Sequence, residues 1–159
     1  VNFTVVINPG SGPGPDALPD ANYTREIPRL GSFENVRLLG YVATTYAKRN
    51  ISLVRRDIET YAAWPTNSSN PDLAVEGIFF DETPQQYDED ALAYLQELTD
   101  VVKNTPGLGP DHYVCFLGWY CIFPRLLPSR HCIDRLLDSL IIAFFSTTLS
   151  TSRFPLSRC

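Results

Sequence analysis

Two adjacent carboxylates, Asp81 and Glu82, close the apolar run IFF and are followed at once by Thr83-Pro84. Paired carboxylates can cleave glycosidic bonds, one protonating the leaving oxygen while the other attacks the sugar or activates a water. Inside a strand, neighbouring side chains point to opposite faces. At a strand end that alternation lapses, and both groups can then face one substrate. The same pair also reads as a solvated acidic patch ahead of a helix. It reads less readily as a magnesium site, because two oxygens are too few to define one. Two further segments carry polar or aromatic chemistry: Asn8 opens the run NPGSGPGPD, and Tyr41 and Tyr46 bracket YVATTY. Rings that stack on pyranose faces, polar groups and two carboxylates together suit a sugar site. NPGSGPGPD lacks the Lys-Ser/Thr pair of a P-loop, and its Pro-rich exit cannot open a helix directly, so a rigid substrate-side loop is expected.

These residues need a scaffold that brings strand ends together. Phe3–Asn8 is a short β-branched run ended by Pro and Gly, and reads as a strand. Residues 9–19 must be a loop, and Tyr23–Leu30 reads as a short helix. Asn35–Val42 is nearly continuous in apolar character, as buried parallel strands are. Val54, Ile58 and Tyr61 recur at helical spacing, with Pro65 expected to end that helix. Leu73–Phe80 reads as a third strand. Asp88–Lys103 is the clearest helix, opening on Asp88, Glu89 and Asp90, where the helix dipole favours anions. Ala91, Leu92, Leu95, Leu98 and Val102 are expected to form its buried face. His112–Phe116 reads as a fourth strand. The order β-α-β-α-β-α-β predicts parallel strands joined by crossovers. A doubly wound sheet and a (β/α)8 barrel both fit, and in both the functional groups gather beyond the C-terminal strand ends.

Composition sets further bounds. The chain has 159 residues, enough for one ordinary domain, with 44% apolar and 19% charged residues. No apolar stretch approaches the roughly 18 residues of a membrane helix, since Asp138 and Ser139 interrupt the best candidate. A net charge of −5 without a basic aromatic face argues against nucleic acid. The sequence begins at Val1 and contains no Met, so it is expected to follow a removed signal peptide. Sequons at Asn2, Asn22, Asn50 and Asn67 exceed chance and point to a secreted or cell-surface glycoprotein.

The composition changes at residue 115. Residues 1–114 hold sixteen Asp/Glu against eight Lys/Arg, whereas residues 115–159 hold two against five and contain no Asn, Glu or Lys. All four cysteines (Cys115, Cys121, Cys132, Cys159) fall in this tail, half of which is Leu, Ser, Phe and Pro. Such residues have pyrimidine-rich codons, so a translated intron or wrong frame is the expected origin. A genuine Cys-containing helix through Leu136, Leu137, Leu140, Ile141, Ile142, Phe144 and Phe145 is the alternative. A disulfide framework is open to the four cysteines, with three pairings. With His112 and His131 they lack the paired spacing of a zinc site, so no metal or other cofactor is expected.

INPGSGPG at 7–14, PDANY at 19–23, LLGYVATTYAKR at 38–49, DIETYAAW at 57–64 and VEGIFFDETP at 75–84 resemble the spherulin-4 family in order and spacing. These are fungal and slime-mould cell-surface or spherulation-associated proteins. The resemblance covers about residues 1–114. It implies a (β/α)8 TIM barrel, of which this chain supplies about the first half. It also implies endo-acting hydrolysis of α-1,4-linked galactosamine/N-acetylgalactosamine polysaccharide such as galactosaminogalactan. On this likeness Asp81 and Glu82 match the acidic pair proposed as catalytic, while Asn8, Tyr41 and Tyr46 fall in groove-lining motifs. The family continues with another Asn-Pro-Gly strand end and a further acidic residue, which CFLGWYCIFPRLL replaces here. The chain alone is therefore expected to be inactive and aggregation-prone, with its first and fourth strands as bare edges. A non-catalytic wall or spore-coat protein that binds the polysaccharide is the alternative reading.

The four sequons are expected to carry glycans after passage through a eukaryotic secretory pathway. A glycosidase-sensitive mass shift on a gel checks this, and the absence of any shift would count against secretion.

Overall fold

Runs of Val, Ile, Leu and Phe too short for a helix become strands when both of their faces are to be buried. In the computed structural model, which describes residues 2–117 and the backbone of 140–143, four such runs form β1 (Phe3–Ile7), β2 (Val36–Ala43), β3 (Gly77–Asp81) and β4 (Tyr113–Phe116). Between them lie α1 (Ala21–Gly31), α2 (Ile51–Ser68) and α3 (Glu89–Asn104). A fifth strand, β5, spans Leu140–Ala143. All pair in parallel in one sheet of order β4-β3-β2-β1-β5.

The two faces of this sheet differ. Val5, Ile7, Leu38, Val42, Ile78, Phe80 and Val114 project into one buried cluster together with Tyr23 and Ile27 of α1, Val54, Ile58, Tyr61 and Trp64 of α2, and Leu95, Leu98 and Val102 of α3. Val6, Leu39, Tyr41, Phe79 and Cys115 alternate with them onto the other face, in a cluster to which no helix among the described residues contributes. All three helices thus pack on one side, and β1 to β4 follow each other in chain order. β5 breaks that progression, since it lies on the far side of β1.

Helix ends are set by local chemistry. Asp20, Asn50 and Asp88 cap α1, α2 and α3, each accepting backbone N–H bonds from the first turn. Pro65 was expected to end α2, but the helix runs on to Ser68. Trp64 is fully buried there, and the helix stops only at Ser69, whose left-handed φ of 53° turns its N–H back onto the Pro65 and Thr66 carbonyls. In α3 Val101 is buried and Leu92 only half-buried, a shift within the expected face.

Two other expectations are corrected. The third strand does not start at Leu73: Pro71–Leu73 is a 3-10 turn, capped by Asn70 on the Asp72 N–H, and ladder pairing begins only at Gly77. Proline has no N–H for a ladder, while its fixed φ suits a helical first turn. In the tail, 140–143 is a strand and not part of a covering helix. It pairs Leu140 with Thr4 through Ala143 with Ile7, so β1 is no bare edge. A β-branched run satisfies the backbone groups of β1, which a helix cannot do. The rest of the proposed helix, and Cys121, Cys132 and Cys159, lie outside the described residues. β4 itself runs through the compositional boundary at 114, with Cys115 opposite Phe79 and Phe116 opposite Phe80. No helix among the described residues is long and apolar enough to cross a membrane.

Gly40 shows how tightly α2 meets the sheet. A Cβ there would lie 2.8 Å from the ring of Tyr61, whose hydroxyl is pinned between the carbonyls of Ile7 at 2.9 Å and Tyr41 at 3.0 Å. Gly40→Ala is expected to destabilise the chain by about 1–3 kcal/mol, read as a lower denaturant midpoint. An unchanged midpoint would mean that Tyr61 yields at no cost.

Candidate functional site

The register of β2 on β3 sets Ala43 opposite Asp81 and Tyr41 opposite Phe79. With a period of two, Tyr41 and Asp81 therefore share the helix-free face. The Tyr41 hydroxyl donates to Asp81 Oδ2 at 2.8 Å, and the Glu82 N–H donates to Asp81 Oδ1 at 2.7 Å. Both carboxylate oxygens are thus engaged, which fixes the group's orientation. Burial raises the Tyr41 phenol well above its ordinary range, with the hydrogen bond and charge of Asp81 and the charge of Glu82 adding to it.

Glu82 leaves the strand. Its φ of 54° is left-handed, which breaks the alternation that would otherwise send it to the opposite face from Asp81. The side chain is exposed and makes no hydrogen bond among the described residues. Its carbonyl is held twice, by the Thr44 hydroxyl at 2.8 Å and by the Tyr46 N–H at 2.6 Å. Thr44, fully buried, also donates its N–H and its hydroxyl to the Asp81 carbonyl, both at 3.0 Å. Thr45, Tyr46 and Ala47 follow with φ of 50°, 55° and 63°, three consecutive non-glycine residues in the left-handed region. Such residues cost roughly 1–2 kcal/mol each and persist where the surroundings over-determine them. Tyr46, 58% exposed, stands out on this turn beside Glu82.

Asn8 sits at the end of β1, buried, and anchors the loop that follows it. Its Oδ1 accepts the Gly12 N–H at 2.9 Å, and its carbonyl accepts the Tyr23 hydroxyl at 2.9 Å. It therefore ties down the loop 9–14, whose Ser11, Gly12 and Gly14 have positive φ. The sequon asparagines lie elsewhere and only partly on loops. Asn2 is exposed beside β1, and Asn22, half-buried on α1, accepts from Arg25. Asn50 caps α2, and Asn67, exposed on α2, donates to the Ala17 carbonyl.

Several supporting residues escape a reading of spacing alone. Arg49 donates to the Ala43 carbonyl at 3.0 Å and to Asp57 Oδ2 at 2.7 Å, and its own carbonyl accepts the Tyr94 hydroxyl at 2.9 Å. Tyr61 and Thr44 belong with them. One signal was present: Asp57 falls among Val54, Ile58 and Tyr61 on the buried face of α2, where an acid needs a partner. Among the described residues no group of three His, Cys, Asp or Glu converges on a possible metal position.

Because the fold favours the protonated Tyr41 phenol, that contribution is complete below the ordinary value of 10.0 and is lost as pH rises above it. Tyr41→Phe is expected to flatten the fall in denaturant midpoint as pH rises above about 10. An unaltered fall would show that the phenol ionises as freely as in the unfolded chain.

Comparison with known proteins shows the family of this chain. The profile of Spherulation-specific family 4 matches residues 1–117. Spherulin-4 of Physarum polycephalum is 35% identical over 107 residues, covering 67% of this chain and 29% of that protein. The crystal structure of Aspergillus clavatus Sph3 in complex with GalNAc is similar at 85% identity and a TM-score of 0.71, over 73% of this chain and 46% of that one. The chain thus spans under a third of the length of the curated relative and under half of the solved one. A profile that covers most of its length places this chain in Spherulation-specific family 4.

Proposed function

We propose that the chain is the acid-bearing part of a secreted or cell-surface glycoside hydrolase of the spherulin-4 type. The substrate is an α-1,4-linked galactosamine/N-acetylgalactosamine polysaccharide, cut internally. The observation that carries this reading is the Tyr41–Asp81–Glu82 constellation at the C-terminal ends of β2 and β3, in a chain 85% identical over its matched part to a protein crystallised with GalNAc. One carboxyl protonates the glycosidic oxygen, and the other attacks the anomeric carbon or activates a water for that attack. Asp81, held through both oxygens, acts from a fixed position, while exposed Glu82 is free to exchange a proton. Tyr46 offers a ring on which a pyranose can stack.

The scaffold proposed is a (β/α)8 barrel, with β1 to β4 and their helices as its first half. The chain-order sequence of β1 to β4 and the packing of α1, α2 and α3 on a single face support it. The helix-free face, which carries Tyr41 and Asp81, is then the barrel interior. By itself the 159-residue chain is expected to release no sugar, so turnover is tested with residues 2–117 replacing the matching segment of the Aspergillus clavatus relative.

In that chimera Asp81→Asn and Glu82→Gln are each expected to lower reducing-end release from the polymer by at least about 10²-fold, with folding intact. Near-unchanged release in both variants would make the pair a solvated acidic patch. Binding without release by the parent chimera would favour a wall-binding protein, and neither binding nor release would sink the carbohydrate reading.

A further inference from the structure

The ion pair between Arg49 and Asp57 plays no direct part in the chemistry proposed above, yet it is the best-buried pair among the described residues. The two side chains are 22% and 11% exposed and 2.7 Å apart. An ion pair in such surroundings is weak as a general stabiliser, because desolvation of both charges offsets their attraction. Its geometry points to a more specific task. Asp57 rises from α2 to the C-terminal ends of the strands, where a Cβ on Gly12 would lie 3.3 Å from its Oδ2. Arg49 makes two bonds from one guanidinium, one to Asp57 and one to the last carbonyl of β2, that of Ala43. A planar fork with donors in fixed directions can serve both at once, whereas an ammonium cannot hold that geometry.

What lies between these anchors is the strained turn. At its near end Thr44 grips the carbonyls of Asp81 and Glu82. At its far end Arg49 is fixed by Asp57, by the Ala43 carbonyl, by Tyr94 and by its own N–H bond to the Thr44 carbonyl at 3.1 Å. The three left-handed residues 45–47 are confined to this span. They would relax to ordinary backbone if either end came loose, and the Tyr46 N–H would then leave the Glu82 carbonyl.

We propose that Asp57 is a positioning residue: through Arg49 it locks the left-handed turn 44–49, which holds the Glu82 backbone in place and presents the Tyr46 ring. The consequence for sugar binding rests on the carbohydrate reading given above, while the mechanical claim does not.

The test uses the 159-residue chain and two variants, Asp57→Asn and Arg49→Lys. The second keeps a cation beside Asp57 and guards against a failure to fold in the first. Amide hydrogen exchange is expected to quicken by about tenfold or more at Tyr46, Lys48 and Arg49, with the β1–β3 ladder amides unchanged. The affinity for N-acetylgalactosamine, followed by amide shifts at Tyr46, is expected to drop in parallel. If Arg49→Lys leaves the turn amides at their original rate, or quickens them only together with the ladders, the positioning role is overturned. If the unaltered chain shows no shift with the sugar, the consequence for sugar binding is withdrawn, and the exchange rates still decide the role of Asp57.

Discussion

The parallel register of β2 on β3 is the constraint on which the rest of the site depends. Ala43 lies opposite Asp81, so the two strands end level with each other. Tyr41, two residues before that end, shares the face of Asp81 and reaches it directly. A slip of one residue would turn Tyr41 toward the helices, bury its hydroxyl without a carboxylate, and carry Asp81 away from the phenol. The register is fixed from both sides, because Val42, Ile78 and Phe80 are buried against helices while Tyr41 and Phe79 are buried on the other face.

Around that register, three buried hydroxyls complete backbone bonds. Tyr61 crosses the apolar layer from α2 to the ends of β1 and β2, where its hydroxyl meets two carbonyls. Tyr23 does the same for Asn8, and Thr44 for Asp81 and Glu82. A parallel sheet leaves carbonyls unpaired at its C-terminal edge, and a buried carbonyl without a donor costs about 1–3 kcal/mol. Side chains of α1, α2 and the β2–α2 turn supply those donors here. The same bonds that satisfy the edge also hold the loops that carry Asp81, Glu82 and Tyr46.

Strand and helix capping keep the two functions of the sheet apart. On the N-terminal side Arg37 stacks over Tyr113 at 3.7 Å and pairs with Glu76 at 3.6 Å, and burial raises the Glu76 carboxyl above the usual carboxylate range. That end is packed and ion-paired. The C-terminal end carries the left-handed residues Ser11, Thr45, Tyr46, Ala47 and Glu82. Ser69 and His112 are left-handed as well, ahead of β3 and β4, so most but not all of this strain lies beside the acids.

Period and composition by themselves determined much of this chain. The β-branched runs, the capped amphipathic helices and the alternation of the two predicted four strands and three helices, and the position of Asp81-Glu82 after a strand marked the acids. Local sequence failed where distant contacts outweighed it. Pro65 reads as a helix stop, yet burial of Trp64 and the turn at Ser69 carry α2 past it. LIIA at 140–143 reads as part of a helix, yet the open edge of β1 offers it a ladder. The bond from the Gly12 N–H to the Asn8 amide oxygen is likewise invisible to local period. Only the tertiary structure decided that Asp57 and Arg49 would meet, that Tyr41 would reach Asp81, and that Glu82 would turn out of the strand. Each of these depends on bonds between residues far apart in the chain, which no local period or propensity encodes.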